Sequence, residues 1–216
     1  MWSARPDRRP VVNERVMLRP VGNPLPLGFL ALAGATLLVS GLHLGWLDAS
    51  QGKDVALILI AFVFPLQLVT SVFGYLARDF VAGTGMGVLA GTWLSVGLVT
   101  LTSSPGSTSD ALGLFLLAAG LAMLVPAIAA SSGKLVATAV LGTTALRFGC
   151  TGMFELTASG TWEDIAGIVG LALFAVAVYA ALAMALEEAR RRTILPTGRR
   201  GMGTDVAHDP GIRPQL

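Results

Sequence analysis

Charge is scarce in this sequence, and so are cysteine and histidine. Asp, Glu, Lys and Arg make up 13% of its 216 residues, about half the share of an average soluble domain. An ordinary water-facing surface is therefore excluded. The single cysteine, Cys150, rules out an intrachain disulfide and any thiolate cluster. The two histidines, His43 and His208, are far apart in sequence. They form neither a clustered metal site nor half of a nucleophile–base pair, and Cys150 has no base nearby in sequence. A phosphate-binding loop of the Walker type is missing too, which excludes ATP-driven transport within the chain. No enzyme activity, metal or cofactor is expected.

What the sequence has in quantity is apolar length. It is 54% hydrophobic, with a mean hydropathy of +0.72. Six apolar stretches run at 27–47, 54–77, 85–102, 111–130, 135–154 and 165–186. A membrane-spanning helix needs roughly 20 mostly apolar residues. Lipid offers no hydrogen-bond partner, so each stretch must satisfy its own backbone as helix. The prediction is an all-α membrane protein of six transmembrane helices. A polar, Arg-rich arm (residues 1–22) precedes the membrane domain (23–198), and a polar tail (199–216) follows it. The long arm and the full-width first span lack the pattern of a cleaved secretory signal.

Basic residues sit at the two ends. Arg5, Arg8, Arg9, Arg15 and Arg19 precede the first span, and Arg190, Arg191, Arg192, Arg199, Arg200 and Arg213 follow the last. Only Lys53, Arg78, Lys134 and Arg147 lie between. The positive-inside rule then places both termini in the cytoplasm, as an even number of spans requires. The basic ends read as this topology signal, with the lipid bilayer as the partner and no nucleic acid. The expected location is the cytoplasmic membrane.

Several residues inside the spans stand out. Asn23-Pro24-Leu25-Pro26-Leu27-Gly28 opens the first span, with proline where a helix tolerates it. Asn23 is placed to cap that turn. Pro65 predicts a kink in the second span, and Gln67 is a mid-span amide that needs a helix partner or water. Gly83, Gly87 and Gly91 recur every four residues in the third span, a smooth stripe for a helix crossing within or between protomers. Arg147 carries a charge into the fifth span, which costs roughly 2.5–3.5 kcal/mol near a bilayer centre. It reads as an anion attractor beside a pore, as half of a helix–helix ion pair, or as a side chain snorkelling to headgroups. His43, near the outer end of the first span, reads as an interfacial hydrogen-bonding residue or a proton sensor.

These motifs resemble the acetate uptake transporters, the acetate/succinate–proton symporters of YaaH/SatP type. The opening Asn23–Gly28 motif matches Asn-Pro-Ala-Pro-Leu-Gly except at Leu25. Leu42-His43, Gly45-Trp46 and Gln67 match further on. Tyr179, Glu187-Glu188 and Arg192-Thr193-Ile194-Leu195-Pro196-Thr197-Gly198 resemble the family's closing segment. The resemblance spans about residues 22–198. It implies a bundle like the urea and acetate channels, a homo-hexamer with one pathway per protomer, and passage of small monocarboxylates (acetate, with succinate as a further candidate) linked to protons. It also implies pathway residues. Leu32, with Phe29 nearby, falls where the family has a constricting Phe, and Leu94 falls where it has a Tyr. Arg147 falls where it shows an apolar residue. The expected pathway set is Asn23, Phe29, Leu32, Gln67, Leu94, Arg147 and Tyr179. Two rival readings are a channel for neutral solutes such as urea, short amides or ammonia, and a non-transporting membrane assembly partner.

Overall fold

The computed structural model describes residues 22–190 and 192–198. Residues 1–21 of the basic arm and the tail from 199, with His208, lie outside the described residues. The described chain is almost wholly helical. Six helices are long and apolar enough to cross a membrane. They are α1 (Leu25–His43), a composite second span (Ala49–Leu76), α4 (Phe80–Thr102), α5 (Asp110–Ser131), α6 (Leu135–Thr157) and α7 (Gly160–Arg190). The composite span contains a 3₁₀ turn at Ala49–Gln51, then α2 (Gly52–Ile58), a π turn at Leu59–Val63, and α3 (Phe64–Leu76).

The helix ends differ from the hydropathy boundaries where local chemistry overrides hydropathy. α1 stops at His43 rather than at 47 because Gly45 takes a left-handed φ of 68°, a conformation glycine adopts without strain. Trp46 and Leu47 then donate their amides back to the Gly41 carbonyl. α4 starts at Phe80, five residues before its apolar run, because the Asp79 carboxylate caps it by accepting from the Ala82 amide at 3.2 Å. Asp79 also accepts from Lys134 Nζ at 2.6 Å, tying the α3–α4 turn to the α5–α6 turn. The Pro65 kink takes the form of the π turn just ahead of it. Phe64 donates to Leu59 five residues back, and this wider turn makes room for a ring that cannot donate.

The spans pack as a ring. α1 meets α7, α7 meets α6, α6 meets α5, α5 meets α4, α4 meets α3, and α3 meets α1. Small residues set the closest approaches. At the α5–α6 contact, a Cβ on Gly113 would lie 2.9 Å from the Gly152 carbonyl, and the reverse holds at the same distance. At α3–α4, a Cβ on Gly74 would lie 2.6 Å from the Gly83 amide nitrogen. The glycine stripe of α4 is therefore divided. Gly83 and Gly87 pack on Tyr75 and Ser71 of α3, while Gly91 faces open space. Around the outside, Leu114, Leu121 and Ile128 form an exposed apolar stripe on α5, as lipid contact requires. Inside, Phe29, Leu32, Leu89, Trp93, Leu141 and Phe148 belong to one continuous buried core.

Candidate solute pathway

The ring topology makes cross-ring contacts diagnostic of the interior. α1 and α6 are separated by α7, yet two of their side-chain pairs meet. Arg147 Nη1 donates to Ser40 Oγ at 2.9 Å, and the His43 ring stands edge-on to Phe154 with centroids 5.5 Å apart. α4 and α6 are separated by α5, yet Trp93 and Phe148 meet edge-on at 5.9 Å. These side chains fill the centre of the ring. Arg147 is 1% exposed, so it does not snorkel. Among the described residues no carboxylate lies within ion-pair distance of it, so it is not half of a helix–helix pair.

The interior also holds polar atoms without a partner among the described residues. They include His43 Nδ1, Gln67 Oε1, Trp93 Nε1, Arg147 Nη2 and Thr151 Oγ1, all buried. A buried polar group left unpaired costs about 1–3 kcal/mol, and more if charged. Several in one bundle mark a place that water or a polar solute fills. They are spread along the bundle. Gln67 sits at the end where α1 begins, its amide 3.5 Å from the Gly28 carbonyl. Arg147 and His43 sit toward the end where α1 stops. Between them lie the fully buried Leu32 and Leu89.

The structure separates the expected pathway residues. Phe29, Leu32, Gln67 and Arg147 are all buried in the ring. Asn23 lies at its entrance, where its side chain accepts from the Leu25 amide at 3.1 Å and shapes the first turn. Leu94 is only half-buried, while the buried face of α4 presents Leu89 and Trp93. Five residues rotate a helix by about 140°, so Leu94 and Leu89 look in different directions. Tyr179 is 38% exposed, and its hydroxyl donates to the Pro196 carbonyl at 2.8 Å. It fastens the closing segment to α7 and does not enter the ring.

Sequence reasoning missed Ser40, Thr151 and Gly170. The first two look like ordinary helix-tolerated hydroxyls. Gly170 is one of many glycines, yet a Cβ there would overlap both the Arg147 guanidinium and Ser40 Oγ. It is the gap in α7 that houses the charge.

Two surface clefts flank the bundle. One, of about 50 Å³, is lined by Lys53, Ser103, Ser109 and Glu155 among others. Glu155 accepts there from the Ser109 amide at 2.7 Å. At the same end of the second span, hydrogen bonds from the Ser50 side chain and amide hold the Asp48 carboxyl below its ordinary pKa. The other, about 400 Å³, is a groove between α4 and α5 lined by Gly87, Gly91, Ser95, Phe115 and Ala122. Neither is lined by Leu32, Gln67 or Arg147, and the fully buried Phe29, Leu32 and Leu89 fill the centre of the ring.

The chain shares this architecture with a solved protein described as the bacterial acetate channel SatP. The two superimpose with a TM-score of 0.72 at 22% identity, covering 82% of this chain and 99% of that one. None of the curated proteins matches it. Residues 8–198 match the model of the GPR1/FUN34/yaaH family. The match covers most of the sequence, including every span of the ring, and the chain belongs to that family.

Proposed function

We propose that the protein moves small monocarboxylates, acetate first among them, through the centre of its helical ring, linked to protons. The observation that carries the reading is the set of buried polar atoms, unpartnered among the described residues, on either side of an apolar waist. Asn23 and Gln67 offer polar contacts on one side, and Arg147 does so on the other. Phe29, Leu32 and Leu89 close the space between. A hydrated ion cannot cross such a waist without shedding its shell, whereas a small acid sheds its charge by protonation. The fold shared with an acetate channel and the family membership support the same reading. Succinate would follow the same route only once protonation has removed its second charge.

On this reading the protein sits in the cytoplasmic membrane with both termini inside. Six crossings and the basic residues beyond the first and last spans support that orientation. Each protomer holds its own pathway within a homo-hexamer. The α4–α5 groove and the exposed stripe of α5 leave apolar surface for neighbours and for lipid.

The test is radiolabelled acetate uptake into proteoliposomes of the full chain, with and without an inward proton gradient. Gradient-stimulated uptake above empty liposomes is expected. Its absence with folded protein would overturn the proposal. Inhibition by urea or acetamide but not by propionate would point to a neutral-solute pore instead.

A further inference from the structure

Arg147 is a buried cation whose compensating charge is not supplied by any described carboxylate. Taking an isolated guanidinium out of water is strongly unfavourable, and proteins that do so pair or coordinate it. One of its two terminal nitrogens is spent on Ser40 Oγ, while the other, Nη2, has no partner. Thr151 lies one turn along α6, on the same face as Arg147, and its buried Oγ1 is also unpartnered. His43 lies one turn beyond Ser40 on α1, and its buried Nδ1 is also unpartnered. On the third side α7 gives way. A Cβ at Gly170 would strike the guanidinium, and one at Gly167 would come within 3.3 Å of His43 Cβ. Three helices thus meet around one fixed positive charge, with three buried hydrogen-bonding atoms on α1 and α6 that nothing among the described residues satisfies.

We infer that Arg147, Thr151 and His43 form a built site for one small monovalent anion inside the ring. The inference rests on the transport reading for the solute's identity but not for the site's existence. The charge is matched. A monoanion neutralises the guanidinium and accepts from Nη2 and the Thr151 hydroxyl, and from the His43 ring when Nδ1 carries its proton. A dianion leaves one negative charge unpaired in a dry enclosure. Such a site selects monocarboxylates over dicarboxylates. Acetate, as solute, and chloride, as an inorganic counter-ion, share the chemistry it requires.

The experiment is thermal unfolding of the detergent-purified full chain at pH 7 and constant ionic strength, exchanging sodium gluconate for sodium acetate, sodium chloride or sodium succinate. Acetate or chloride is expected to raise the unfolding midpoint saturably, and succinate is expected not to do so at the same concentrations. A saturable rise with acetate alone assigns the site to the carboxylate solute, and one with chloride assigns it to an inorganic anion as well. In Arg147→Gln the half-saturating concentration rises at least about tenfold, the loss of one charge-assisted contact. Arg147→Lys, which keeps the charge but not the fork, falls between the two. No saturable rise in the wild-type protein overturns the inference, whatever the variants do. So does an unchanged half-saturation in Arg147→Gln, or succinate acting as potently as acetate. Acetate uptake by a protein that shows no such rise leaves the transport reading standing and removes this site. A saturable rise without uptake supports the site and removes the transport reading.

Discussion

Gly170 matters because of what occupies the space where its side chain would be. An added methyl would overlap the Arg147 guanidinium, so Gly170→Ala is expected to cost about 1–3 kcal/mol, as overpacking a tight interior does. The shorter, uncharged side chain of Arg147→Gln relieves the overlap. In that background the same change should cost measurably less, a non-additivity expected of side chains in contact. Unfolding all four proteins in one detergent measures it, and additive costs would contradict the packing described. Tyr179 behaves differently. Tyr179→Phe removes a half-exposed hydrogen bond to the Pro196 carbonyl and should cost about 1 kcal/mol or less. Amide exchange over residues 193–198 should quicken while acetate uptake is unchanged. Reduced uptake at equal abundance would return Tyr179 to the solute route.

At the scale of elements, the sharpest contrast is between a glycine at a helix contact and one that faces open space. Gly74→Ala forces a methyl into the backbone of α4, whereas Gly91→Ala adds one to open space. The first should cost about 1–3 kcal/mol. The second should be neutral or slightly stabilising, since alanine is the better helix former. Equal effects in unfolding measurements would mean that α3 and α4 do not meet at Gly74 and Gly83. The four-residue spacing was legible in the sequence, but its division between a helix contact and an open groove was not, because spacing alone does not name a partner. The same limit explains the other differences. The spans were legible because bilayer thickness leaves a mark about 20 residues long. The start of α4 was not, because the Asp79 cap on its first turn is a local hydrogen bond that hydropathy does not record. Arg147 announced itself as a charge in an apolar run. Ser40, Thr151 and Gly170, which build its surroundings, are small residues drawn from distant segments and leave no local signal. The family comparison points to Leu94 on α4, while the buried face there presents Leu89 and Trp93, because a ring's interior is set by helix rotation and a short motif does not fix that angle.

For the whole molecule, closure at the waist governs what can pass. With a carboxylic pKa near those of Asp and Glu, only about 10⁻³ of acetic acid is protonated at neutral pH. Initial uptake at fixed total acetate should therefore rise as external pH falls from 7 toward 5, approaching tenfold per unit while the protonated fraction limits the rate. Uptake that ignores pH would contradict proton-linked passage. The ring also has a lower fastening that bears on any handling of the protein. Tyr179 holds the Pro196 carbonyl, Thr197 is buried, and Gly198, at a left-handed φ of 62°, sits where a Cβ would lie 2.8 Å from Leu135 Cβ. The segment after the last span is thus a hem stitched to the starting turn of α6. A reporter or affinity handle is better joined beyond residue 198 than directly to the end of α7, where it would unpick that seam and uncover the first turn of the fifth span.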